Sequence, residues 1–145
     1  MRIRRLSKED SVAAADLCTQ LGYPSTPLQM ERRLRMLETL PGQALFGAED
    51  DLRLVGWVHV QTRCTFESDS FAEICGLVVD ERVRGHGIGR ALVIAAEDWA
   101  RKEGHKDVRV RSNISRTRTH HFYEQLGYAL TKTSHVFHKS LTQLR

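Results

Sequence analysis

Residues 70–101 constrain the fold of this chain more than any other segment. An apolar run from Ile74 to Val79 predicts a buried strand, and a charged break follows it. Three glycines then alternate with other residues before apolar side chains return at helical spacing. The segment therefore predicts a strand, a glycine-rich turn and a helix. The apolar face of that helix carries Ile88, Leu92, Ala95, Ala96 and Trp99.

The glycines Gly85, Gly87 and Gly89 indicate what the turn binds. Because glycine has no Cβ, backbone N–H groups at the start of a helix can point together at one anion, and the helix dipole adds its positive end. Arg84 adds a formal positive charge at the same place. The turn thus favours a phosphate or a pyrophosphate as its ligand.

Two known phosphate-binding patterns do not match this turn. A P-loop requires Gly-Lys followed by Ser or Thr, and the turn has no such sequence. A dinucleotide-binding turn requires a third glycine where this chain has Arg90, and an acidic residue after the next strand, where it has Ser112. On this turn alone, an ordinary strand-to-helix connection remains an alternative. The pattern that does match is R-x-x-G-x-G, formed by Arg84, Gly85, His86, Gly87, Ile88 and Gly89.

Length and composition indicate one globular domain, expected to span residues 1–145. The chain is 41% hydrophobic and 28% charged, and its net charge of +4 comes from basic residues spread along the sequence, so no nucleic-acid partner is expected. No apolar run approaches the roughly 18 residues of a membrane span, and the N-terminus lacks a signal peptide's apolar segment. We therefore expect a cytoplasmic protein without a membrane partner. Its three separate cysteines predict reduced thiols.

Helix caps organise the prediction for the N-terminal part. Ser7 with Asp10, and Thr26 with Gln29, form capping boxes that predict two helices between the first two strands. Gly22 is expected to end the first of these helices.

Turn and strand signals predict the remaining elements. Acidic residues 49–51 predict a hairpin turn, and polar residues 67–70 predict a loop before the central strand. A helix over residues 116–126 and two strands, over 128–133 and 135–141, are expected to close the chain. The resulting order is β-α-α-β-β-β-α-β-α-β-β. The five earlier strands are expected at residues 2–6, 43–48, 52–62, 74–79 and 106–112.

A second motif lies on the helix expected after the fifth strand. Phe122 to Tyr128 has the form F-Y-x-x-x-G-Y. Together with the R-x-x-G-x-G turn, in the same order and on the expected elements, it resembles the GNAT superfamily of N-acetyltransferases. The resemblance spans nearly the whole chain. It implies a mixed α+β or α/β fold with a twisted, mostly antiparallel sheet of about seven strands, splayed between strands four and five, and about four helices.

The resemblance implies acetyl-CoA as the cosubstrate. The family's pyrophosphate loop matches Arg84–Gly89, and the backbone of Leu77, Val78 and Val79 would bond the pantetheine as though it were an added strand. Asn113 matches a family position that contacts the same arm, with a simple turn residue as the alternative.

The resemblance also implies catalytic roles. Transfer of an acetyl group from a thioester to an amine needs an uncharged amine, a polarised carbonyl and a proton for the departing thiolate. The motif places Tyr123 beside the coenzyme sulfur, where a phenol of ordinary pKa about 10 can protonate a thiolate. Glu73 resembles the catalytic glutamate of histone-type acetyltransferases and is the expected base. The alternatives are a core tyrosine packed on Phe122 and a salt-bridged glutamate, with water as the base.

Strand alternation adds expectations about the side chains around Glu73. Glu73 is expected to share a face with Cys75, Leu77 and Val79. Cys75 is expected to be a small buried residue and not an acyl acceptor, because no nearby cation would lower its pKa. No metal site is expected, because the paired histidines near the C-terminus lie on adjacent helical positions or on opposite faces of a strand.

The expected reaction is direct attack of an amine on acetyl-CoA in a ternary complex. A small-molecule amine is the first choice of acceptor, and a protein or peptide lysine or N-terminus is the alternative. A non-catalytic acyl-CoA sensor is the alternative of another class. The resemblance places acceptor selection in the first two helices, the loop between strands three and four and the C-terminal hairpin, and a homodimer is common in the family. Aromatic residues in this selecting set are Tyr23, Trp57, Phe66 and Phe137.

Overall fold

A five-stranded sheet organises the first of two compact units in this computed structural model, which describes residues 1–112 and 117–142. The first unit is Met1–Arg111 and the second is Ser112–Arg145. In the sheet order β1-β2-β3-β4-β5, the first four strands pair antiparallel and β5 pairs parallel with β4. The strands are β1 (Arg2–Arg5), β2 (Gln43–Asp50), β3 (Arg53–Thr65), β4 (Ser68–Val79) and β5 (Val108–Val110).

The caps expected from the sequence begin and end the N-terminal helices. Asp10 closes a box with Ser7 around a short 3-10 turn, and Gly22 ends the first helix with φ 108°. Gln29 N donates to Thr26 Oγ1 at 3.2 Å, and Thr26 N donates to Gln29 Oε1 at 2.9 Å. These predictions are confirmed. The three helices of the first unit are α1 (Ser11–Leu21), α2 (Pro27–Thr39) and α3 (Ile88–Lys102).

Helices cover both faces of the sheet. On one face, Trp57 and Val78 pack in a buried cluster with Leu17 of α1. On the other face, α3 lies close to β3: a Cβ built at Gly56 would lie only 3.1 Å from Leu92 Cδ1. The glycine therefore allows this close approach of helix to strand. We call these the α1 face and the α3 face of the sheet.

The hairpin connections differ from the prediction. β2 continues to Asp50, and the turn is Asp51-Leu52, with φ of 50° and 63°. Two residues with positive φ suit the twist of a tight hairpin better than the predicted turn at residues 49–51 does. Likewise β4 starts at Ser68, so residues 68–70 belong to the strand and not to a loop. Polar residues at the solvent-exposed end of a strand carry no signal that separates them from a loop.

A bulge at Cys75 changes which side chains share a face. Ile74 pairs with Val60 and Gly76 pairs with His59, so Cys75 is the unmatched residue in β4. The extra residue shifts the alternation, because the period of a strand is two. Glu73 therefore lies on the α1 face, and the predicted face shared by Glu73, Cys75, Leu77 and Val79 is wrong.

The pairing between β4 and β5 is short. It runs from Ala72↔Val108 to Ile74↔Val110, whereas β4 continues to Val79. The pairing of the two parallel strands thus ends at Ile74, which agrees with the splay expected between strands four and five. The backbone of β4 beyond the bulge has an edge on that side without a partner strand in the part of the chain described.

The second unit contains one helix among its described residues, α4 (Thr117–Gln125). Gly127 follows with φ 92°, and Tyr128 N donates to Tyr123 O at 3.0 Å, so the predicted helix end is confirmed. The strands predicted over residues 128–133 and 135–141 are absent from the described residues, and the predicted count of seven strands is wrong. Alternation predicts a strand only where one face is buried, and here the apolar side chains are exposed. These side chains are Leu130, Val136, Phe137 and Leu141.

Candidate active site

The connection from β4 to α3 is anchored by a buried carboxylate. Asp80 is 2% exposed and accepts two hydrogen bonds from the Arg82 guanidinium, at 3.1 and 2.8 Å. These bonds, with the Arg82 backbone N–H, hold the pKa of Asp80 at about 2. Asp80 N also donates to Val55 O at 2.8 Å, which fixes the start of the turn to β3. The loop therefore leaves the sheet from a rigid point.

The glycine-rich turn has the geometry of an anion site. Gly85 and Gly87 adopt φ of 86° and 77°, and no atom of the described residues lies within 4 Å of a Cβ built on either, so glycine is needed there for the backbone conformation. Gly87 caps α3 without a side chain to accept from the first-turn amides, and Ile88 is buried beneath it. The first turn holds no acidic residue, so the helix N-terminus offers its N–H groups and its dipole to an anion.

The predicted loop residues differ in what they contact. Arg84 Nε donates to Val79 O at 3.3 Å, which ties the arginine to the end of β4. His86 Nδ1 lies 3.0 Å from Val83 O, so its ring is bonded within the loop. Gly89 lies in the first turn of α3. The exposed members of the turn are Arg84, Gly85, His86 and Gly87.

The β4 edge without a partner strand among the described residues lies directly before this turn. Leu77, Val78 and Val79 pair with β3 on one side, and on the other side the pairing with β5 has ended at Ile74. An extended chain with amide groups can add to such an edge as a strand does. The edge and the turn together fit a ligand that joins a pyrophosphate to an extended amide-containing arm, as the resemblance implies.

Glu73 lies in an arginine pair on the α1 face. Its side chain is 7% exposed, with Arg111 Nε 3.1 Å from Oε1 and Arg63 Nη1 3.3 Å from Oε2. Among the described residues, Oε2 has the ion pair but no hydrogen bond of good geometry. The salt-bridged arrangement given as the alternative is present, and the role of Glu73 as base stays a prediction.

Cys75 is exposed, so the expectation of a buried thiol is wrong. The bulge is consistent with this exposure, because the unmatched residue lies outside the regular pairing of β3 with β4. Partial desolvation and the Glu73 carboxylate raise the pKa of the thiol to about 11. A thiol that stays protonated near neutral pH is a poor nucleophile, which agrees with the expectation that Cys75 accepts no acyl group.

Tyr123 lies in the second unit, on α4. It is 7% exposed, and its ring meets Phe122 and Tyr128 edge to face, with centroids 5.1 and 5.7 Å apart. Its role as acid stays a prediction. The predicted coenzyme contact Asn113 lies outside the described residues.

A pocket of about 180 Å³ between α1, α2 and the α1 face was not predicted as such. Of the aromatic residues expected to select the acceptor, Trp57 lines it, whereas Tyr23 and Phe66 are exposed. His59 also lines it and was missed, although it follows Trp57 by two residues and therefore shares its face. Burial lowers the pKa of His59, whose Nε2 lies 2.7 Å from Gln43 Oε1. The apolar lining includes Leu6, Ala14, Met30, Leu34, Leu37 and Leu45.

Metal sites and membrane-spanning helices are both absent from the described part of the chain. Within residues 1–112 and 117–142, no group of three or more His, Cys, Asp or Glu side chains could hold a metal ion. None of the helices in the described part of the chain has both the length and the apolar character needed to span a membrane.

Comparisons with known proteins agree with this geometry. Residues 11–128 match the model of the Acetyltransferase (GNAT) family. An aminoglycoside N(6')-acetyltransferase type 1 from Stenotrophomonas maltophilia is 25% identical over 134 residues, covering 90% of this chain and 87% of the relative. An uncharacterised N-acetyltransferase of Bacillus subtilis (strain 168), YhdJ, is 27% identical over 137 residues, covering 92% of this chain and 93% of that protein. A solved aminoglycoside N-acetyltransferase, AAC(6')-Iy in complex with CoA, superposes with a TM-score of 0.86 at 18% identity, covering 95% of this chain and 93% of the other.

Proposed function

Because this chain belongs to the acetyltransferase (GNAT) family, we propose that it moves the acetyl group of acetyl-CoA to the primary amine of a small molecule, by direct attack of that amine in a ternary complex. The observation that carries this proposal is the N-terminus of α3, which has no side-chain cap and which follows the β4 edge that lacks a partner strand among the described residues. The helix N-terminus offers an anion site, and the strand edge offers strand-like hydrogen bonds. Acetyl-CoA has both kinds of group.

Named residues would hold the cosubstrate. The amides from Gly85 to Gly89 and the charge of Arg84 suit its pyrophosphate, and the backbone of Leu77 to Val79 suits its pantetheine. Acetyl-CoA supplies the activated acetyl group as a thioester. What remains for the chain is to orient the amine, to accept its proton and to return a proton to the departing thiolate.

Two side chains are proposed for the proton transfers. Tyr123 would give the proton to the departing thiolate, and its place in F-Y-x-x-x-G-Y supports this role. Glu73 would accept the proton of the attacking amine, directly or through water, and its Oε2 atom supports this role because it retains acceptor capacity beside Arg63. Direct attack needs no covalent enzyme intermediate, which is consistent with the high pKa of Cys75.

The acceptor class rests on the relatives. Aminoglycosides, on which the Stenotrophomonas relative acts by its name, carry primary amines on a small molecule. This favours a small-molecule amine over a protein lysine or N-terminus. A non-catalytic acyl-CoA sensor would keep the turn and the β4 edge without using Tyr123 or Glu73.

The deciding experiment measures release of free thiol from acetyl-CoA over a panel of small amines, lysine peptides, N-terminal peptides and aminoglycosides. We expect saturable, acceptor-dependent release with small amines. Tight coenzyme binding without turnover on any acceptor would identify a sensor. Turnover confined to peptides would overturn the small-molecule assignment and retain the acetyltransferase.

A further inference from the structure

The pocket on the α1 face is connected to the proposed transfer site through the sheet. Trp57 and His59, which line the pocket, pair across the strands with Val78 and Gly76 of β4. The Cβ of any larger residue at position 76 would lie 3.0 Å from the Trp57 ring, so Gly76 gives the indole its space. The pocket is therefore one strand away from the β4 edge at which the thioester arm is proposed to bind.

The carboxylate in the pocket wall is not available to a ligand. Arg4 holds Asp10 with two hydrogen bonds of 2.8 and 2.9 Å, and Ser7 N donates to Asp10 Oδ2 at 2.8 Å. Burial opposes ionisation of Asp10, but these bonds outweigh it and lower the pKa of the carboxyl group. An ammonium group entering the pocket would find this negative charge already neutralised.

Most of the other polar groups in the wall also have partners, and the exception is Trp57 Nε1, which is buried without a hydrogen-bond partner among the described residues. Ser11 Oγ donates to Lys8 O at 2.7 Å, and Arg33 Nη1 donates to Ser25 Oγ at 3.0 Å. His59 bonds to Gln43. Most of the surface left for a ligand is therefore the apolar side chains of α1, α2 and the strands.

The charge around the pocket and the neighbouring Glu73 is positive. Three carboxylates are opposed by five guanidinium groups, once the Glu49 carboxylate that pairs with Arg4 and with Arg2 is counted. A ligand with several ammonium groups would be repelled by this excess, whereas a single amine can lose its proton before it reacts. The carboxylates are those of Asp10, Glu49 and Glu73, and the guanidinium groups are those of Arg2, Arg4, Arg33, Arg63 and Arg111.

From these observations we infer that the acceptor is a monoamine with an apolar body seated in the pocket between α1, α2 and the sheet, and not a polycationic aminoglycoside. This inference rests on the proposed acetyl transfer and names its substrate class. It separates this chain from the relatives named for aminoglycosides, in spite of the shared fold.

The first test compares acceptors by thiol release at low ionic strength, with 2-phenylethylamine and hexylamine against kanamycin. We expect kcat/KM to be at least about 10-fold higher for the two monoamines, because each carries an apolar body that the pocket can desolvate. Equal or faster turnover of kanamycin would overturn the inference and leave the acetyltransferase assignment intact.

Filling the pocket gives a matched pair of variants. Leu37 lines the pocket, and the adjacent Met36 is exposed on the same helix outside it. We expect Leu37→Trp to raise KM for 2-phenylethylamine about 10-fold or more, with KM for acetyl-CoA unchanged, and Met36→Trp to change neither constant. Equal effects of the two variants would place the acceptor elsewhere.

Reversing a charge gives a second pair. Arg33 lines the pocket, and Arg32 on the same helix does not. We expect Arg33→Glu to raise kcat/KM for kanamycin about 3-fold to 10-fold at low salt, while Arg32→Glu, with the same change in net charge, has a smaller effect. No difference between the two variants would count against the charge argument.

Direct binding separates this inference from the proposed function. Calorimetry of 2-phenylethylamine with the CoA-bound protein detects occupation of the pocket without any reaction. Saturable binding that is lost in Leu37→Trp, with no turnover on any amine, would overturn the transferase and retain the ligand class. If monoamines neither bind to the protein nor react, the inference itself is overturned.

Discussion

The carboxylate of Glu73 lies between two guanidinium groups, from Arg63 on β3 and Arg111 after β5. Its position on the central strand could be predicted from the sequence, since it lies one residue before the apolar run. Its partners could not, because one lies on β3 and the other follows β5, and their places beside Glu73 depend on the register of the whole sheet. The same limit applies to the pocket, whose lining comes from two helices, two strands and the connection between β1 and α1.

Replacing Glu73 by glutamine tests both its structural role in the ion pairs and its proposed role as the base. Glu73→Gln leaves the two guanidinium groups without a carboxylate, so we expect the free energy of unfolding to fall by about 1–3 kcal/mol, less than for a fully buried pair because both arginines reach solvent. If Glu73 is the base, the ratio of wild-type to variant kcat should rise as the pH falls below the pKa of the acceptor amine, because fewer amines then arrive uncharged. Urea unfolding and a pH–rate profile measure the two effects. A loss of stability with a pH-independent rate ratio would assign Glu73 to structure alone.

Tyr123 can be tested without disturbing its packing. Tyr123→Phe keeps the ring that meets Phe122 and Tyr128 and removes only the hydroxyl group. We expect kcat to fall by about 100-fold or more with little change in the Kd of acetyl-CoA, because the departing thiolate loses its proton donor. Tyr128→Phe, which removes the neighbouring hydroxyl, is the control and should leave kcat within a small factor. Equal rates for Tyr123→Phe and the wild type would remove Tyr123 as the acid.

At the scale of an element, α3 presents different chemistry at its two ends. Gly87 precedes its N-terminus with φ 77°, and Gly104 follows its C-terminus with φ 85°. In neither place does an atom of the described residues lie within 4 Å of a built Cβ. An alanine at either position meets the same backbone strain of about 1–2 kcal/mol, and only one position lies at the proposed pyrophosphate site.

We therefore expect Gly87→Ala and Gly104→Ala to destabilise the fold by similar amounts and to differ in coenzyme affinity. The Kd of CoA should rise about 10-fold in Gly87→Ala, since the strain displaces the amides that face the anion, and should stay unchanged in Gly104→Ala. Calorimetric titration with CoA gives both constants. Matching affinities in the two variants would contradict an anion site at the start of α3.

The elements that the sequence predicted best are those with local signals. The box of Thr26 with Gln29 and the glycine end at Gly127 act within a few residues, and both lie where they were expected. The bulge at Cys75 has no such signal, because it is defined by the strand that β4 pairs with. In the C-terminal segment a local signal was present but misleading. Its alternation predicted two strands, whereas the structure leaves the apolar side chains of this segment exposed.

For the molecule as a whole, buried ionisable groups predict how stability depends on pH. Burial lowers the folded-state pKa of His59 below the value of 6.5 for a free side chain, so the unfolded chain binds the proton more readily. The stability that His59 contributes is present above about pH 6.5 and is lost as the pH falls through that value. Asp80 has a pKa of about 2 in place of 3.8, so its contribution is present above pH 3.8 and is lost as the pH falls towards 2.

We expect urea unfolding from pH 8 to pH 2 to show two declines in stability, one beginning near pH 6.5 and one below about pH 4. His59→Gln should flatten the first decline, since glutamine does not titrate and can still bond to Gln43. Asp80→Asn should reduce stability at neutral pH and flatten the second decline. If the His59→Gln variant keeps the full first decline, that decline must come from other groups.

Cys75 is the position of β4 at which the sheet can lose a residue. Because Cys75 has no partner in the ladder, its deletion would leave Ile74 opposite Val60 and Gly76 opposite His59, with every other side chain on its present face. We therefore expect the deletion, like replacement of the exposed side chain by serine, to keep the pairing of β3 with β4. In related sequences, a difference of one residue in the length of β4 should fall at this position.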